Sequence, residues 1–149
     1  MNKENPFKKV AVIGAGTMGS GIAGQIANAN QPVLLLDLPG KNPNSVTETA
    51  IEKLLKSDPP ALMHENRVDF IEIGNIRDDF QKLADYDLII EAVVERLDIK
   101  KDLYKRINEI VKPECVITSN TSTIPIKLLV EDMPLSFRER FAITHYFNP

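Results

Sequence analysis

The chain has 149 residues, with 18 Lys and Arg against 21 Asp and Glu, which gives a formal net charge of −3. This length predicts one domain with a real core. The 43% hydrophobic and 26% charged residues exclude a disordered tail, a collagen-like fibre and a membrane bundle. The charge balance does not indicate a nucleic-acid partner, and no apolar stretch reaches the roughly 18 residues of a membrane-spanning helix.

Cysteine and histidine are scarce. The single cysteine, Cys115, excludes an internal disulfide framework and a cysteine-based zinc site. The two histidines, His64 and His145, leave little for any metal site, so we expect no metal. Near the N-terminus an apolar run breaks at Gly14, which argues against a secretory signal and makes the cytoplasm the expected location.

Short apolar runs alternate with segments of helical periodicity. The runs are continuous and too short for helices, as expected of strands buried on both faces of a parallel sheet. Ser45 and Glu48 predict a capping box at the second helix. The alternation predicts an α/β fold with a doubly wound, mainly parallel six-stranded sheet. The predicted strands are 10–13, 33–36, 70–73, 88–90, 116–118 and 141–144, and the predicted helices are 17–30, 45–57, 78–84, 97–111 and 125–131.

A glycine motif joins the first predicted strand to the first predicted helix. Gly14, Gly16 and Gly19 match G-x-G-x-x-G, a pattern that is specific only in this strand-to-helix context. Gly14 permits a tight turn, Gly16 lets a pyrophosphate approach the backbone, and Gly19 lets the helix pack closely on the strand. The free amides at the start of the helix would then bind the anion.

An acidic residue ends the second strand. Asp37 stands beyond Gly14 at about the 20-residue distance where the dinucleotide-binding fingerprint expects an acid for the adenosine ribose. A carboxylate repels a 2′-phosphate and the nearest cation is Lys41, so NAD is favoured over NADP. An FAD protein is a lesser alternative, since it needs further chain to cover the flavin. The predicted fold is a Rossmann domain with strand order 3-2-1-4-5-6, spanning residues 1–149.

Polar residues follow three later strands at the same end of the sheet, in segments 91–95, 119–122 and 145–149. Ligands bind outside the carboxyl ends of such strands, so we expect these segments to face one crevice. Oxidation of an alcohol needs a base for the hydroxyl proton, and His145 is the histidine placed at a strand end. Glu91 is expected to satisfy backbone amides there and to lie outside the site.

Four segments between Lys9 and Pro149 carry a family resemblance: VAVIGAGTMGSGIA, IIEAVVERLDIKKDLYKRI, SNTSTIP and HYFNP. In this order they resemble the NAD-binding domain of the L-3-hydroxyacyl-CoA dehydrogenases of fatty-acid β-oxidation. The H-x-F-N-P element after S-N-T-S is far more specific than the glycine loop. The resemblance implies NAD-dependent oxidation of a (S)-3-hydroxyacyl-CoA to a 3-ketoacyl-CoA, with an acyl-CoA as substrate.

The resemblance also implies roles for the matching residues. Glu95 and Lys100 would contact the nicotinamide half of NAD, and Asn120 would lie near the nicotinamide ribose and the substrate. Ser122 would hydrogen-bond the 3-oxygen of the substrate, and His145 would be the base in oxidation and the acid in reduction. The implied cofactor-binding residues are Gly14, Gly16, Thr17, Met18, Gly19, Asp37, Glu95, Lys100 and Asn120.

The chain departs from the family beyond His145. In the family, a glutamate that orients the histidine follows, as does a helical C-terminal domain that closes the acyl-CoA cleft and carries the dimer interface. We therefore expect a fragment of a longer dehydrogenase, homodimeric or part of a multifunctional protein, that binds NAD with little turnover alone. Two alternatives stay open: a catalytically silent NAD-binding module, or a dehydrogenase of another hydroxy acid. For Glu95 and Lys100, the alternative to cofactor contact is an exposed charge pair that contributes little to stability.

Overall fold

Six strands form the centre of the molecule. The structure, a computed structural model, describes residues 4–147. Its strands are β1 (Val10–Ile13), β2 (Val33–Asp37), β3 (Ile71–Asn75), β4 (Leu88–Glu91), β5 (Val116–Ser119) and β6 (Phe141–Ile143). They form one sheet in the order β3-β2-β1-β4-β5-β6 with every neighbouring pair parallel. This confirms the predicted Rossmann architecture and its strand order.

Helices cover both faces of this sheet. The second predicted helix begins at Ser45 as expected, but Asn44 is its N-cap and no side chain caps it. The capping-box prediction is therefore wrong, because the Ser45 hydroxyl donates to the carbonyl of Asn42 instead. The helices are α1 (Thr17–Asn28), α2 (Ser45–Leu55), α3 (Leu97–Ile110), α4 (Ile126–Val130) and α5 (Leu135–Arg138), with 3₁₀ helices at Glu65–Phe70 and Phe80–Asp85.

Three short elements differ from expectation. The predicted strand at 70–73 begins one residue later, because Phe70 ends a 3₁₀ helix. The predicted helix at 78–84 is a 3₁₀ turn that begins at Phe80. Helix α5 was not predicted, since four residues after Pro134 are too few to display a helical period.

The hydrophobic core has two layers, one on each face of the sheet. Successive side chains of a strand point to opposite faces, so Ala11 and Ile13 pack on one layer while Val10 and Val12 pack on the other. The first layer contains α3 to α5 and an aromatic cluster, and the second contains α1 and α2. The rings of Tyr104, Phe137 and Phe141 pack with centroids 5.2–5.9 Å apart. Burial of both sheet faces explains the continuous apolar runs.

The register aligns the carboxyl ends of the central strands. Ile13 pairs with Glu91, Glu91 with Ser119, and Ser119 with Ile143. The loops that follow β1, β4, β5 and β6 therefore leave the sheet at one edge. Strand order reverses between β1 and β4, which makes this edge a topological switch point and the expected place for a ligand.

Candidate functional site

The three glycines of the loop between β1 and α1 are required for three different reasons. Gly14 has φ +107°, and a Cβ there would lie 2.4 Å from the carbonyl oxygen of Ala92. A Cβ on Gly19 would lie 1.7 Å from the carbonyl oxygen of Gly14. A Cβ on Gly16 would meet nothing within 4 Å, so this position opens to the surface. Gly14 permits the turn, Gly19 lets the start of α1 approach that turn closely, and Gly16 keeps the backbone accessible.

The loop ends at the start of α1. Gly16 is the N-cap of this helix, with extended backbone and no side-chain capping hydrogen bond. The amides of the first helical turn have no partner inside a helix, and they include those of Thr17 and Met18. Together with the helix dipole they form a binding place for an anion such as a phosphate.

Asp37 lies at the end of β2, beside the same loop. Its Oδ2 accepts the backbone N–H of Ala15 at 2.6 Å, and its Oδ1 accepts that of Leu38 at 2.6 Å. A carboxylate has about four lone-pair sites, so each oxygen keeps one for a further donor. The half-buried Asp37 side chain can therefore accept hydrogen bonds from a ribose while it holds the loop.

A cavity of about 300 Å³ lies at the carboxyl edge, next to the first turn of α1. Six of the residues singled out in the sequence contribute to its wall, and they come from four separate segments of the chain. The wall residues are Met18, Ala92, Val93, Glu95, Lys100, Asn120, Ser122, His145, Tyr146 and Phe147. The loops after β1, β4, β5 and β6 thus meet around one space large enough for a small ring and its ribose.

Lys100 is buried at the wall of this cavity and does not pair with Glu95. Its side chain is 1% exposed, and its Nζ lies 2.6 Å from Oε1 of the fully buried Glu91. Glu95 is exposed, and its carboxylate instead accepts the hydroxyl of Thr121. The interpretation of Glu95 and Lys100 as an exposed charge pair is therefore wrong.

The Glu91 carboxylate accepts hydrogen bonds from three side chains as well as from the expected backbone amide. Oε1 accepts the N–H of Val93 at 2.8 Å, as predicted, together with the Lys100 ammonium. Oε2 accepts the hydroxyls of Tyr104 and Ser119, each at 2.6 Å. Burial and the adjacent carboxylate raise the pKa of Tyr104, so its hydroxyl stays a donor. In the sequence, the signal for such a buried hydrogen-bond acceptor is a single acidic residue at the end of an apolar strand.

The segment that carries His145 is held by Asn120. The side-chain carbonyl of Asn120 accepts the backbone N–H of Tyr146 at 2.8 Å. The exposed imidazole of His145 packs edge-on against Phe147, with ring centroids 4.6 Å apart. The last two residues of the HYFNP motif lie outside the described residues. Tyr146 and Phe147 belong to the segment that was expected at the crevice but were given no individual role, and both line the cavity.

This arrangement defines a class of protein. A parallel sheet with a glycine loop, an accessible helix start and an acid after the second strand is a dinucleotide-binding domain of the Rossmann class. The open position at Gly16 fits the approach of a pyrophosphate, and the free lone pairs of Asp37 fit a ribose diol. The residues present therefore fit a nicotinamide dinucleotide.

Sequence comparison identifies the family. The profile of the family described as 3-hydroxyacyl-CoA dehydrogenase, NAD binding domain, matches residues 9–149, and the chain belongs to this family. It is 48% identical to a putative fatty acid oxidation complex trifunctional enzyme of Rickettsia felis, over 98% of this chain and 21% of that protein. It is 47% identical to a probable 3-hydroxyacyl-CoA dehydrogenase of Deinococcus radiodurans, over 96% of this chain and 42% of that protein.

Solved structures agree with this assignment. The crystal structure of 3-hydroxybutyryl-CoA dehydrogenase from Escherichia coli superposes with a TM-score of 0.80 and 33% identity, over 96% of this chain and 30% of that one. The chain thus spans between about a fifth and two fifths of the length of these relatives. NAD is the cofactor of the domain family to which it belongs.

Within residues 4–147, no group of three or more His, Cys, Asp or Glu side chains is arranged to hold a metal ion. None of the helices in the described part of the chain is both long and apolar enough to cross a membrane.

Proposed function

We propose that this chain is the NAD-binding part of a longer cytoplasmic dehydrogenase that oxidises (S)-3-hydroxyacyl-CoA to 3-ketoacyl-CoA in fatty-acid β-oxidation. The observation that carries the proposal is the shared cavity, in which Asn120, Ser122 and His145 lie beside Met18 at the start of α1. The position next to the phosphate-binding helix start supports binding of the nicotinamide half of NAD in this cavity, against Glu95 and Lys100.

Oxidation of the substrate carbinol needs two groups: one accepts the hydroxyl proton, and the other accepts the hydride from the same carbon. NAD, when bound, supplies the hydride acceptor. An imidazole nitrogen of His145 takes the proton of the 3-hydroxyl as the C3 hydrogen leaves as hydride and the C=O bond forms. The Ser122 hydroxyl donates a hydrogen bond to the 3-oxygen and orients it. In reduction His145 returns the proton.

The proposed whole protein contains more than this domain. His145 and Ser122 are both exposed, whereas acid–base catalysis gains from a closed site that excludes water. We propose that a helical C-terminal domain closes the cleft over the acyl-CoA and carries a homodimer interface or joins a multifunctional assembly. The greater length of the relatives supports a further domain. The chain alone should bind NAD and turn over little.

An activity assay on the full-length protein tests the proposal. We expect NADH-dependent reduction of acetoacetyl-CoA, followed at 340 nm, and a loss of about 10²–10⁴-fold in kcat for His145→Gln, typical of a lost general acid. His64→Gln is the matched control, because this exposed histidine lies outside the cavity. NADH binding without activity would favour the silent module. Activity only on a free hydroxy acid would favour the other dehydrogenase class.

A further inference from the structure

Glu91 is a fully buried carboxylate with an unusually complete set of donors. It ends β4 at 0% exposure. The four donors are the amide of Val93, the ammonium of Lys100 and the hydroxyls of Tyr104 and Ser119. A buried charge is costly unless it is paired and hydrogen-bonded, and these four bonds satisfy both oxygens. The positions of these four donors indicate what the buried carboxylate does for the site.

The two oxygens of Glu91 serve different parts of the molecule. Both donors to Oε1, Val93 and Lys100, line the cavity. Both donors to Oε2, Tyr104 and Ser119, lie away from the cavity wall, in the aromatic cluster and in β5. The carboxylate therefore connects the wall of the cavity to the rigid core of the domain.

The main chain of Glu91 reaches a third wall residue. Its carbonyl accepts the backbone N–H of Asn120 at 2.8 Å. Asn120 in turn accepts the N–H of Tyr146, the neighbour of His145, through its side-chain carbonyl. One buried residue is thus linked, directly or through one step, to the segments that carry Lys100, Asn120 and His145.

We propose that Glu91 is a positioning residue for the nicotinamide half of the site, acting mainly through Lys100. It fixes the Lys100 ammonium at the cavity wall through their 2.6 Å ion pair, since a buried ammonium is costly unless it is paired. The inference rests on the proposed function in one respect: it takes the nicotinamide to lie in this cavity.

The test compares two ligands on this chain by calorimetric titration. NADH contains the whole dinucleotide, whereas ADP shares its adenosine and both phosphates but lacks the nicotinamide nucleoside. We expect Glu91→Gln to weaken NADH binding by about tenfold or more, the scale of a lost charged hydrogen bond, and to change ADP binding by less than about twofold. Loss confined to one half of the dinucleotide is not expected from general destabilisation.

Tyr104→Phe is the matched control on the same carboxylate. It removes one donor, but from the oxygen that faces the core. We expect it to lower Tm by about 2–6 °C and to leave NADH binding within about twofold. If it weakens NADH binding as much as Glu91→Gln does, Glu91 acts through the general order of the core and the proposal fails.

The double variant Glu91→Gln with Lys100→Met keeps the test decisive if Glu91→Gln does not fold. Removal of both charges leaves no unpaired buried ion, and such replacements are often neutral for stability. We expect its Tm to approach that of the wild type while NADH stays weak and ADP stays unaffected. Recovery of NADH affinity together with Tm would overturn the proposal.

The remaining outcomes separate this inference from the proposed function. Equal losses for NADH and ADP, or no loss for NADH, would contradict the role of Glu91. A wild-type chain that binds NADH no more tightly than ADP would contradict the placement of the nicotinamide, and this inference with it. A full-length protein that lacks dehydrogenase activity while the NADH-specific loss is observed would overturn the proposed reaction and leave the role of Glu91 supported.

Discussion

The carboxylate of Asp37 accepts the backbone N–H of Ala15 at 2.6 Å. This bond joins the acid at the end of β2 to the middle of the glycine loop. The side chain that shapes the loop is thus the one for which we propose a contact with the adenosine ribose. Gly14 reinforces the connection, because its N–H donates to the carbonyl of Leu36 at 2.7 Å. The conformation of the loop and the proposed ribose contact therefore depend on the same end of β2.

Substitution of Asp37 tests both functions. We expect Asp37→Ala to weaken NADH binding by about 1–3 kcal/mol, the scale of hydrogen bonds to a charged group. Asp37→Asn keeps one oxygen, enough for the N–H of Ala15 but not also for that of Leu38, and removes the charge. It should therefore lower Tm modestly and narrow the preference for NADH over NADPH. Calorimetric titration and thermal unfolding measure the two effects. Unchanged NADH affinity in Asp37→Ala would place the adenosine elsewhere.

Gly16 and Gly21 form a matched pair, because a Cβ at either position would meet nothing within 4 Å. Gly16→Ala should fold with a Tm close to that of the wild type and still lose NADH affinity, since the methyl group occupies the approach of the pyrophosphate. Gly21→Ala lies inside α1 and should keep NADH affinity while stability rises by about 0.5–1 kcal/mol through helix propensity. Equal NADH binding by both variants would contradict the proposed phosphate position.

Much of this site follows from the sequence. The strands appear in the sequence as apolar runs because the sheet is covered on both faces. The first run ends where the glycine loop begins, and this point marks the carboxyl edge of the sheet. The register then brings Asn120 and Ser122, which follow β5, together with His145, which follows β6, at one cavity. Adjacent carboxyl ends are a general property of parallel sheets, which is why residue order alone predicts this grouping.

The partners of the charged residues do not follow from the sequence. Glu95 and Lys100 are close along the chain, yet the turn before α3 directs the Lys100 side chain inward to Glu91 and leaves Glu95 to bond Thr121. Such pairing depends on the packing of α3 against β4, which spacing does not encode. The four-residue helix α5 is missed for a related reason, since its position is fixed by the burial of Phe137.

Asp87 makes the amino-terminal end of the sheet sensitive to acid. Its Oδ2 accepts the backbone N–H groups of Lys8 and Lys9 at 2.8 Å each, and its Oδ1 pairs with Lys112. The hydrogen bond from Lys112, and after it the backbone bond from Lys9, lower the pKa of Asp87 below its ordinary value. A lowered pKa contributes stability that is present above about pH 4 and is lost as the pH falls through the folded-state pKa.

Thermal unfolding between pH 7 and pH 3 measures this contribution. We expect Asp87→Asn to have a lower Tm than the wild type at pH 7, with a difference that narrows as the pH falls below about 4. A difference that stays constant over the whole range would show that the charge of Asp87 does not stabilise this end of the sheet.

Cys115 should be chemically inert in the folded chain. Its side chain is fully buried, and burial raises the pKa of the thiol to about 11. Only the thiolate is an effective nucleophile, so alkylation by iodoacetamide at pH 8 should be slow until the chain unfolds in guanidinium chloride. Rapid labelling of the native chain, read by mass spectrometry, would contradict the packing of β5 against α3.

The measurement that tests the central claim most directly is a calorimetric titration of this chain with NADH and, separately, with NADPH. The glycine loop, the helix start and the charge of Asp37 predict saturable binding of NADH and much weaker binding of NADPH. Equal binding of both would contradict the role of Asp37. Failure of NADH to bind a chain shown to be folded by its thermal transition would contradict the assignment of this edge of the sheet as an NAD site.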